Sequence, residues 1–140
     1  MIHKNFLLWE NDDFVIKTPF NPHTSYKEGL HLVVITKAER KTAWEDPSLS
    51  GRAFELAARA SKIIEDVGLA PWVNLQANGN WGLLPNAELF FHIHIYGRNK
   101  TKNWAQPIIL PQLPGTYENE PMPESDRVKL IEAFKQLSHA

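Results

Sequence analysis

The order of short β-prone runs around one long amphipathic helix predicts a single α+β domain with an antiparallel sheet of about five strands. Three β-prone runs come first, at residues 6–9, 14–17 and 31–36, and two more follow the helix, at residues 72–77 and 88–96. Strands joined by hairpin-length turns, with only one long helix among them, favour antiparallel pairing over a parallel doubly wound sheet. We therefore expect the order β-β-β-α-β-β in one domain of 140 residues.

The main helix is predicted over residues 48–67, where apolar side chains recur at intervals of three and four residues. They are Leu49, Ala53, Leu56, Ala57, Ala60, Ile63, Ile64 and Val67. This period is typical of an α-helix with one buried face. Gly68 follows at a position that suits a left-handed helix cap.

The last third of the chain differs in composition from the rest. Residues 105–140 are rich in proline, which opposes regular structure over most of this stretch. A short second helix is predicted at about residues 125–137. The side chains expected on its buried face are Val128, Ile131, Phe134 and Leu137.

Composition and charge exclude several classes of protein. With 15 basic against 16 acidic residues, a net charge of -1 and no long run of lysine or arginine, the composition argues against a protein that wraps duplex DNA or lies on an anionic membrane. The longest apolar runs, residues 30–35 and 89–95, are far shorter than the roughly 20 residues that span a bilayer. There is no cysteine, so thiolate metal sites and cysteine nucleophiles are excluded. The N-terminus does not resemble a signal peptide, and we expect a cytoplasmic protein.

Two histidines on the last strand are the strongest candidates for chemistry. Because side chains alternate along a strand, His92 and His94 share a face with Phe90 and Tyr96. Their α-carbons lie about 6 to 7 Å apart, so both imidazoles can reach one phosphate or one metal ion. The alternative is a polar row that merely faces solvent.

The residues around the pair favour a phosphate ligand over a solvent-facing row. Amides, which suit hydrogen bonding to ribose or phosphate oxygens, are frequent before the strand. They are Asn74, Gln76, Asn78, Asn80 and Asn86. Three cations that can neutralise a phosphate follow it, namely Arg98, Lys100 and Lys102.

Two stretches resemble the histidine triad (HIT) superfamily. Residues 91–98, Phe-His-Ile-His-Ile-Tyr-Gly-Arg, look like the latter part of its motif, in which three histidines alternate with apolar residues. Residues 29–37, Gly-Leu-His-Leu-Val-Val-Ile-Thr-Lys, are similar to the family's glycine-histidine strand. The resemblance spans about residues 6–104, while residues 105–140 are not covered by it.

The resemblance implies nucleotidyl transfer by covalent catalysis. His92, at the middle triad position, would attack the α-phosphorus of a nucleoside phosphoramidate, a dinucleoside polyphosphate or a similar substrate. His94 would assist the leaving group or contact phosphate. Asn78 and Asn86 are the candidates for binding substrate phosphate. Asn80 is the alternative to Asn78. The resemblance further implies a purine nucleotide ligand and a homodimer, and no metal or cofactor is expected.

The sequence departs from the family pattern at two positions. Phe90 stands where the first triad histidine is expected. Arg40 lies at or near the position where the family has an auxiliary histidine. We expect Phe90 to extend the core, with packing against a base or ribose as the alternative. His31 is expected to be structural, with a site role as the alternative because the family often has a histidine at this position. The remaining histidines, His3, His23 and His139, are expected to be solvated.

Two other functions are compatible with these departures. A non-catalytic nucleotide-binding module is the main alternative, because part of the network that would tune His92 is missing. A metal site on His92 and His94 is the other, with Glu88 on the same face, although two histidines supply only half of a tetrahedral shell. Trp104 matches a tryptophan that many family members carry after the triad.

Overall fold

A computed structural model describes residues 5–86, 88–99 and 117–139 and confirms the predicted α+β class. The five strands are β1 (Asn5–Glu10), β2 (Phe14–Pro19), β3 (Gly29–Thr36), β4 (Trp72–Gln76) and β5 (His92–Arg98). The two helices are α1 (Pro47–Asp66) and α2 (Glu124–Phe134). Short 3-10 turns occur at Tyr26–Glu28, Ala43–Glu45, Asn80–Leu83 and Lys135–His139.

The strands form one antiparallel sheet in the order β1-β2-β3-β5-β4. Strands β1, β2 and β3 follow one another as a meander, and α1 then carries the chain to β4 at the far edge. The last strand, β5, inserts between β3 and β4, where His31 lies opposite Tyr96 and Val33 opposite His94. This central position places the two motif histidines in the middle of the sheet.

Helix α1 (Pro47–Asp66) begins and ends one residue before the predicted range of 48–67. The Asp46 side chain accepts a hydrogen bond from the backbone N–H of Leu49 at 3.2 Å, and Pro47 occupies the first turn, where its missing N–H costs nothing. Gly68, with φ of 78°, follows the helix in the left-handed conformation. Seven of the eight apolar residues predicted for its inner face are buried, and Val67 is partly buried.

The inner face of α2 differs from the prediction. Phe134 and Leu137 are buried as expected, but Val128 and Ile131 are 57% and 39% exposed. Leu130 and Ala133 are buried instead. Leu130, Ala133 and Phe134 follow the i, i+3, i+4 spacing and form one stripe on α2, whereas the predicted set mixes two faces of the helix. Leu137 lies beyond α2, in the 3-10 turn that follows it.

The two faces of the sheet are covered differently. Alternate side chains such as Leu32 and Ile93 form the core with the helices. On the opposite face, His31, His94 and Tyr96 are 3%, 6% and 0% exposed, although no helix packs on them in the described part of the chain. The loop after β2 covers them and brings in His23. No helix among the described residues is long and apolar enough to cross a membrane.

Candidate active site

The two motif histidines lie side by side on β5. Nε2 of His92 is 3.1 Å from Nε2 of His94, and the two rings meet edge to face. His94 is buried, while His92 is partly exposed at the start of the strand. The side chains of His92 and His94 therefore share one face of β5, as the strand alternation predicts.

His31 and His23 extend this pair into a row of four imidazoles. Nε2 of His31 is 2.9 Å from Nδ1 of His94, and the His23 ring packs on both, with centroid distances of 4.4 Å and 4.9 Å. The expectation that His23 is solvated is wrong, because the loop after β2 folds back over the sheet. His31 has a direct partner in His94, so it belongs to the site, which was the alternative to the expected structural role.

Tyr96 closes the far end of the row. Its hydroxyl lies 2.6 Å from Nδ1 of His23, and its ring stacks on those of His31 and His94 at 4.8 Å and 5.3 Å. The side chain is completely buried. Burial therefore raises its pKa, so the phenol is protonated at neutral pH.

Burial keeps the row of imidazoles neutral. Removal from water lowers the pKa of His94 to about 2 and that of His23 to about 4, and in both cases nearby histidines lower it further. The pKa of His31 is also well below its usual value, mainly for the same reason. Burial lowers the pKa of His92 too, against the opposing effect of the Phe90 carbonyl. At neutral pH each ring therefore carries one proton.

The hydrogen bonds at the two ends of the row determine where those protons lie. The backbone N–H of His23 donates to Nδ1 of His31 at 3.1 Å, so the proton of His31 is on Nε2 and is donated to Nδ1 of His94. The proton of His94 is then on Nε2, which donates to Nε2 of His92. His92 consequently carries its proton on Nδ1, and the Phe90 carbonyl accepts it at 3.0 Å. The two fixed ends agree, and Nε2 of His92 is left with its lone pair.

The direction in which these hydrogen bonds are donated also opposes metal binding. Ring nitrogens of His23, His31 and His94 lie within 4.8 Å of one another, which would allow three imidazoles to approach one ion. A ligating histidine, however, donates through its second nitrogen, whereas Nδ1 of His31 accepts a backbone hydrogen bond. Its Nε2 is protonated and offers no lone pair. His92 and His94 likewise share one proton between their facing nitrogens, so this pair does not suit a metal either.

Phe90 lies before β5 rather than on it, and it does not extend the core. The predicted strand at residues 88–96 begins only at His92, because the backbone N–H of Phe91 bonds to the carbonyl of Arg40 instead. Phe90 is 47% exposed and stacks on the His92 ring at 4.6 Å. The core interpretation is therefore wrong, and the ring forms an apolar wall beside the exposed histidine.

One amide of the β4 region lies close to the row. Gln76, on β4, is the direct cross-strand partner of His94, so their side chains share a face. Nδ2 of Asn78 donates to Oε1 of Gln76 at 3.2 Å. Asn78 is thus one hydrogen bond away from the neighbour of His94. Sequence analysis named Gln76 only as one of several amides, and its place opposite His94 depends on the strand register.

Within the described part of the chain, the other predicted binding residues make no hydrogen bond to His92. Asn86 lies in an exposed turn with φ of 60°, a left-handed conformation that asparagine tolerates well. Arg98 is six residues beyond His92 on β5, about 20 Å along the strand, and it donates to Oδ1 of Asn74 at 2.9 Å. Arg40 pairs with Asp46 at the start of α1. Lys100, Lys102, Trp104 and the side chain of Asn80 lie outside the described part of the chain.

Comparison with solved structures gives the relationship that comparison of sequences does not. No family model and no curated protein matches the chain. A zinc-bound histidine triad family protein from Mycobacterium smegmatis aligns with 97% of this chain and 88% of its own, at 18% identity and a TM-score of 0.70.

Two further structures agree with the first. A histidine triad protein from Bradyrhizobium japonicum covers 94% of this chain and 89% of its own, at 14% identity and a TM-score of 0.65. A hypothetical histidine triad nucleotide-binding protein from Sulfolobus tokodaii covers 95% and 83%, at 15% identity and a TM-score of 0.64. The chain therefore has the fold of the histidine triad proteins.

Proposed function

We propose that the protein is a nucleotide phosphate hydrolase or transferase that acts through a nucleotidyl-histidine at His92. One observation carries the proposal. The row from His31 through His94 to His92 is neutral, and its hydrogen bonds leave a lone pair on Nε2 of His92, the partly exposed member of the row, where it accepts from His94. A neutral imidazole with a fixed tautomer is a ready nucleophile, because no proton must be removed before attack.

The first chemical step forms a bond between Nε2 of His92 and the α-phosphorus. An entering phosphoryl oxygen takes over the hydrogen bond from Nε2 of His94 and so releases the lone pair of His92. The leaving group departs with the electrons of its bond to phosphorus and, where it is an amine, takes a proton from solvent. Nδ1 of His92 keeps its proton, and the Phe90 carbonyl stabilises the resulting positive ring.

The second step returns the enzyme to its starting state. A water oxygen attacks phosphorus, the P–N bond breaks, and its electron pair becomes the lone pair of Nε2 again. The proton of the attacking water passes to solvent. Splitting one displacement into two in this way is the ordinary advantage of covalent catalysis.

The substrate-binding roles of Asn78, Asn86 and Arg98 belong to this proposal. Asn78 is the best supported of them, because its partner Gln76 lies opposite His94. Arg98 reaches a substrate only if that substrate extends well beyond the α-phosphate, and the role of Asn86 is supported by the sequence resemblance alone. The Sulfolobus tokodaii relative is described as nucleotide-binding, which supports a nucleotide ligand here.

A non-catalytic nucleotide-binding module is the second candidate. Phe90 favours it, because a stacked apolar ring occupies the position of the first triad histidine and supplies no proton or hydrogen bond to a leaving group. Zinc binding, as described for the Mycobacterium smegmatis relative, is not part of our proposal. Nε2 of His31 and Nε2 of His94 both carry a proton, so neither nitrogen has a lone pair for a metal ion.

Release of nucleotide from adenosine phosphoramidates and dinucleoside polyphosphates tests the proposal. We expect the native protein to turn over at least one of them, and His92→Ala to show no turnover. Circular dichroism and a melting curve of the variant serve as the control for folding. Ligand binding without turnover by the native protein would favour the binding module, for which linkage predicts a gain of about 2.7 kcal/mol in stability at a hundredfold excess over Kd.

A further inference from the structure

Residues 117–120, which precede α2, are hydrogen-bonded along their length to the loop that carries His23. We call this four-residue segment the strap. Its bonds are Asn21 Nδ2 to the Tyr117 carbonyl (2.7 Å), Asn119 N–H to Asn21 Oδ1 (2.8 Å), Asn119 Nδ2 to the Pro22 carbonyl (2.9 Å), Ser25 Oγ to Asn119 Oδ1 (3.3 Å), Glu120 N–H to Ser25 Oγ (3.1 Å) and Tyr26 N–H to the Glu120 carbonyl (3.1 Å). The strap and the loop thus hold each other in one conformation.

One of these bonds is accepted by the Pro22–His23 peptide, the group that also donates a hydrogen bond to His31. The carbonyl of Pro22 and the N–H of His23 belong to the same peptide unit. The carbonyl accepts from Nδ2 of Asn119, and the N–H donates to Nδ1 of His31. Because the two groups of a planar trans peptide point in opposite directions, fixing the carbonyl also fixes the direction of the N–H.

We propose that Asn119 is a positioning residue that sets the tautomer of His92 through the Pro22–His23 peptide. Four hydrogen bonds then connect Asn119 to the proposed nucleophile, through the peptide, His31 and His94. Each link determines the donor of the next, since a neutral imidazole has one N–H and one lone pair. The catalytic part of this inference rests on the proposed function, whereas the tautomer control does not.

The consequence of losing Asn119 follows from the same logic. If the His23 N–H turns away, Nδ1 of His31 is free to carry the proton, and Nε2 of His31 then accepts instead of donating. His94 can reverse in turn and present a lone pair to Nε2 of His92. The Nε2-protonated tautomer of His92 then becomes accessible at the cost of the hydrogen bond from Nδ1 to the Phe90 carbonyl. It therefore forms a second population, and that form cannot attack phosphorus.

Nitrogen-15 NMR of the imidazole rings in Asn119→Asp tests the proposal directly. Aspartate keeps the shape and can still accept from Ser25, but its carboxylate cannot donate to the Pro22 carbonyl and repels it. We expect the native protein to show Nε2 of His92 unprotonated, and the variant to show a second population with Nε2 protonated. With a turned-over substrate, we expect kcat to fall about tenfold, which corresponds to about 1.4 kcal/mol, with little change in KM.

Ser25→Ala is the matched control. It removes two hydrogen bonds of the same strap without touching the Pro22–His23 peptide, so we expect the native tautomers to persist. Native tautomers in Asn119→Asp, or the same tautomer change in both variants, would overturn the proposal. Asn119→Ala, which removes the donor without adding charge, replaces Asn119→Asp if that variant does not fold. A native protein with the expected tautomers but no turnover would contradict the proposed function and leave the tautomer control standing.

Discussion

At the scale of single residues, the proposed chemistry depends on which nitrogen of His92 carries a proton. The sequence predicts that His92 and His94 share a strand face, because alternation along a strand is a local property. It does not predict that His23 joins them, since that contact follows the path of a loop across the sheet. Nor does it predict which ring nitrogens donate and which accept along the row, because that depends on a backbone N–H at one end and a backbone carbonyl at the other.

Phe90 shows the same limit of sequence reasoning. Strand alternation placed it on the face of His92, and its apolar character suggested the core. Because the backbone N–H of Phe91 bonds to the carbonyl of Arg40, β5 begins only at His92 and the Phe90 ring is half exposed. Stacking on His92 then gives it a contact with the proposed nucleophile that hydrophobicity alone does not indicate.

The neutral row makes stability depend on pH in the range where histidine titrates. His23, His31 and His94 have lowered pKa values in the folded protein, so the unfolded chain binds more protons below its histidine pKa of about 6.5. The stabilisation is fully present above pH 6.5 and is lost as the pH falls toward the folded values, about 4 for His23. Each of these histidines contributes a slope of up to about 1.4 kcal/mol per pH unit.

Urea unfolding between pH 7 and pH 5 measures this slope before most carboxylates take up protons. We expect the free energy of unfolding to fall steadily over this range. In His31→Gln the slope should be smaller by up to about 1.4 kcal/mol per pH unit, whatever the stability of the variant at pH 7. A free energy that is flat from pH 7 to pH 5 would show that the row is not held neutral.

At the scale of elements, the long helix was predicted better than the strand ends and the short helix. The period of α1 runs over 20 residues with a cap at each end, so its buried face is unambiguous. Helix α2 has only 11 residues and apolar side chains on two sides, and its contacts with β1 and α1 decide which side is buried. Short elements are defined by their partners more than by their own pattern.

Two glycines in different elements are expected to respond oppositely to alanine. Gly51 lies exposed within α1, where a Cβ meets nothing within 4 Å, so Gly51→Ala should stabilise the protein by about 0.5 to 1 kcal/mol. Gly97 lies on β5, where a Cβ would come within 2.8 Å of Cβ of Ala70 and would also overlap Leu30. Gly97→Ala should therefore destabilise it by about 1 to 3 kcal/mol.

Thermal and urea unfolding of the two variants check this pair of expectations. Because both substitutions add the same methyl group, each serves as the control for the other. Equal effects of the two changes would contradict the close approach of Gly97 to Leu30 and Ala70 or the open surroundings of Gly51.

At the scale of the whole molecule, the sheet has two edges, at β1 and β4. An edge strand presents unpaired backbone groups that can pair with a second chain. We therefore propose that, in the homodimer expected from the sequence, the sheets of two subunits join through such an edge. Trp72, at the start of β4, is 68% exposed and is the large apolar side chain that such a contact would cover.

Sedimentation equilibrium measures the mass of the protein in solution and so tests whether it forms a homodimer. We expect twice the mass of one chain, and dissociation of Trp72→Lys at concentrations where the native protein is dimeric. Trp44→Lys is the control, because Trp44 is 80% exposed but lies in the turn before α1. A native monomer, or dissociation caused equally by both changes, would contradict a dimer through the β4 edge.

The proposed function predicts a covalent intermediate on Nε2 of His92. The protein is mixed with an adenosine phosphoramidate or dinucleoside polyphosphate that it turns over, quenched under alkaline conditions that preserve a phosphorus–nitrogen bond, and digested. Peptide mass spectrometry then locates any added nucleotidyl group.

We predict one nucleotidyl group on the peptide that contains residues 92–94, assigned to His92 by fragmentation and absent from His92→Ala. Turnover with no adduct on His92, or with an adduct on His94 instead, would contradict the account.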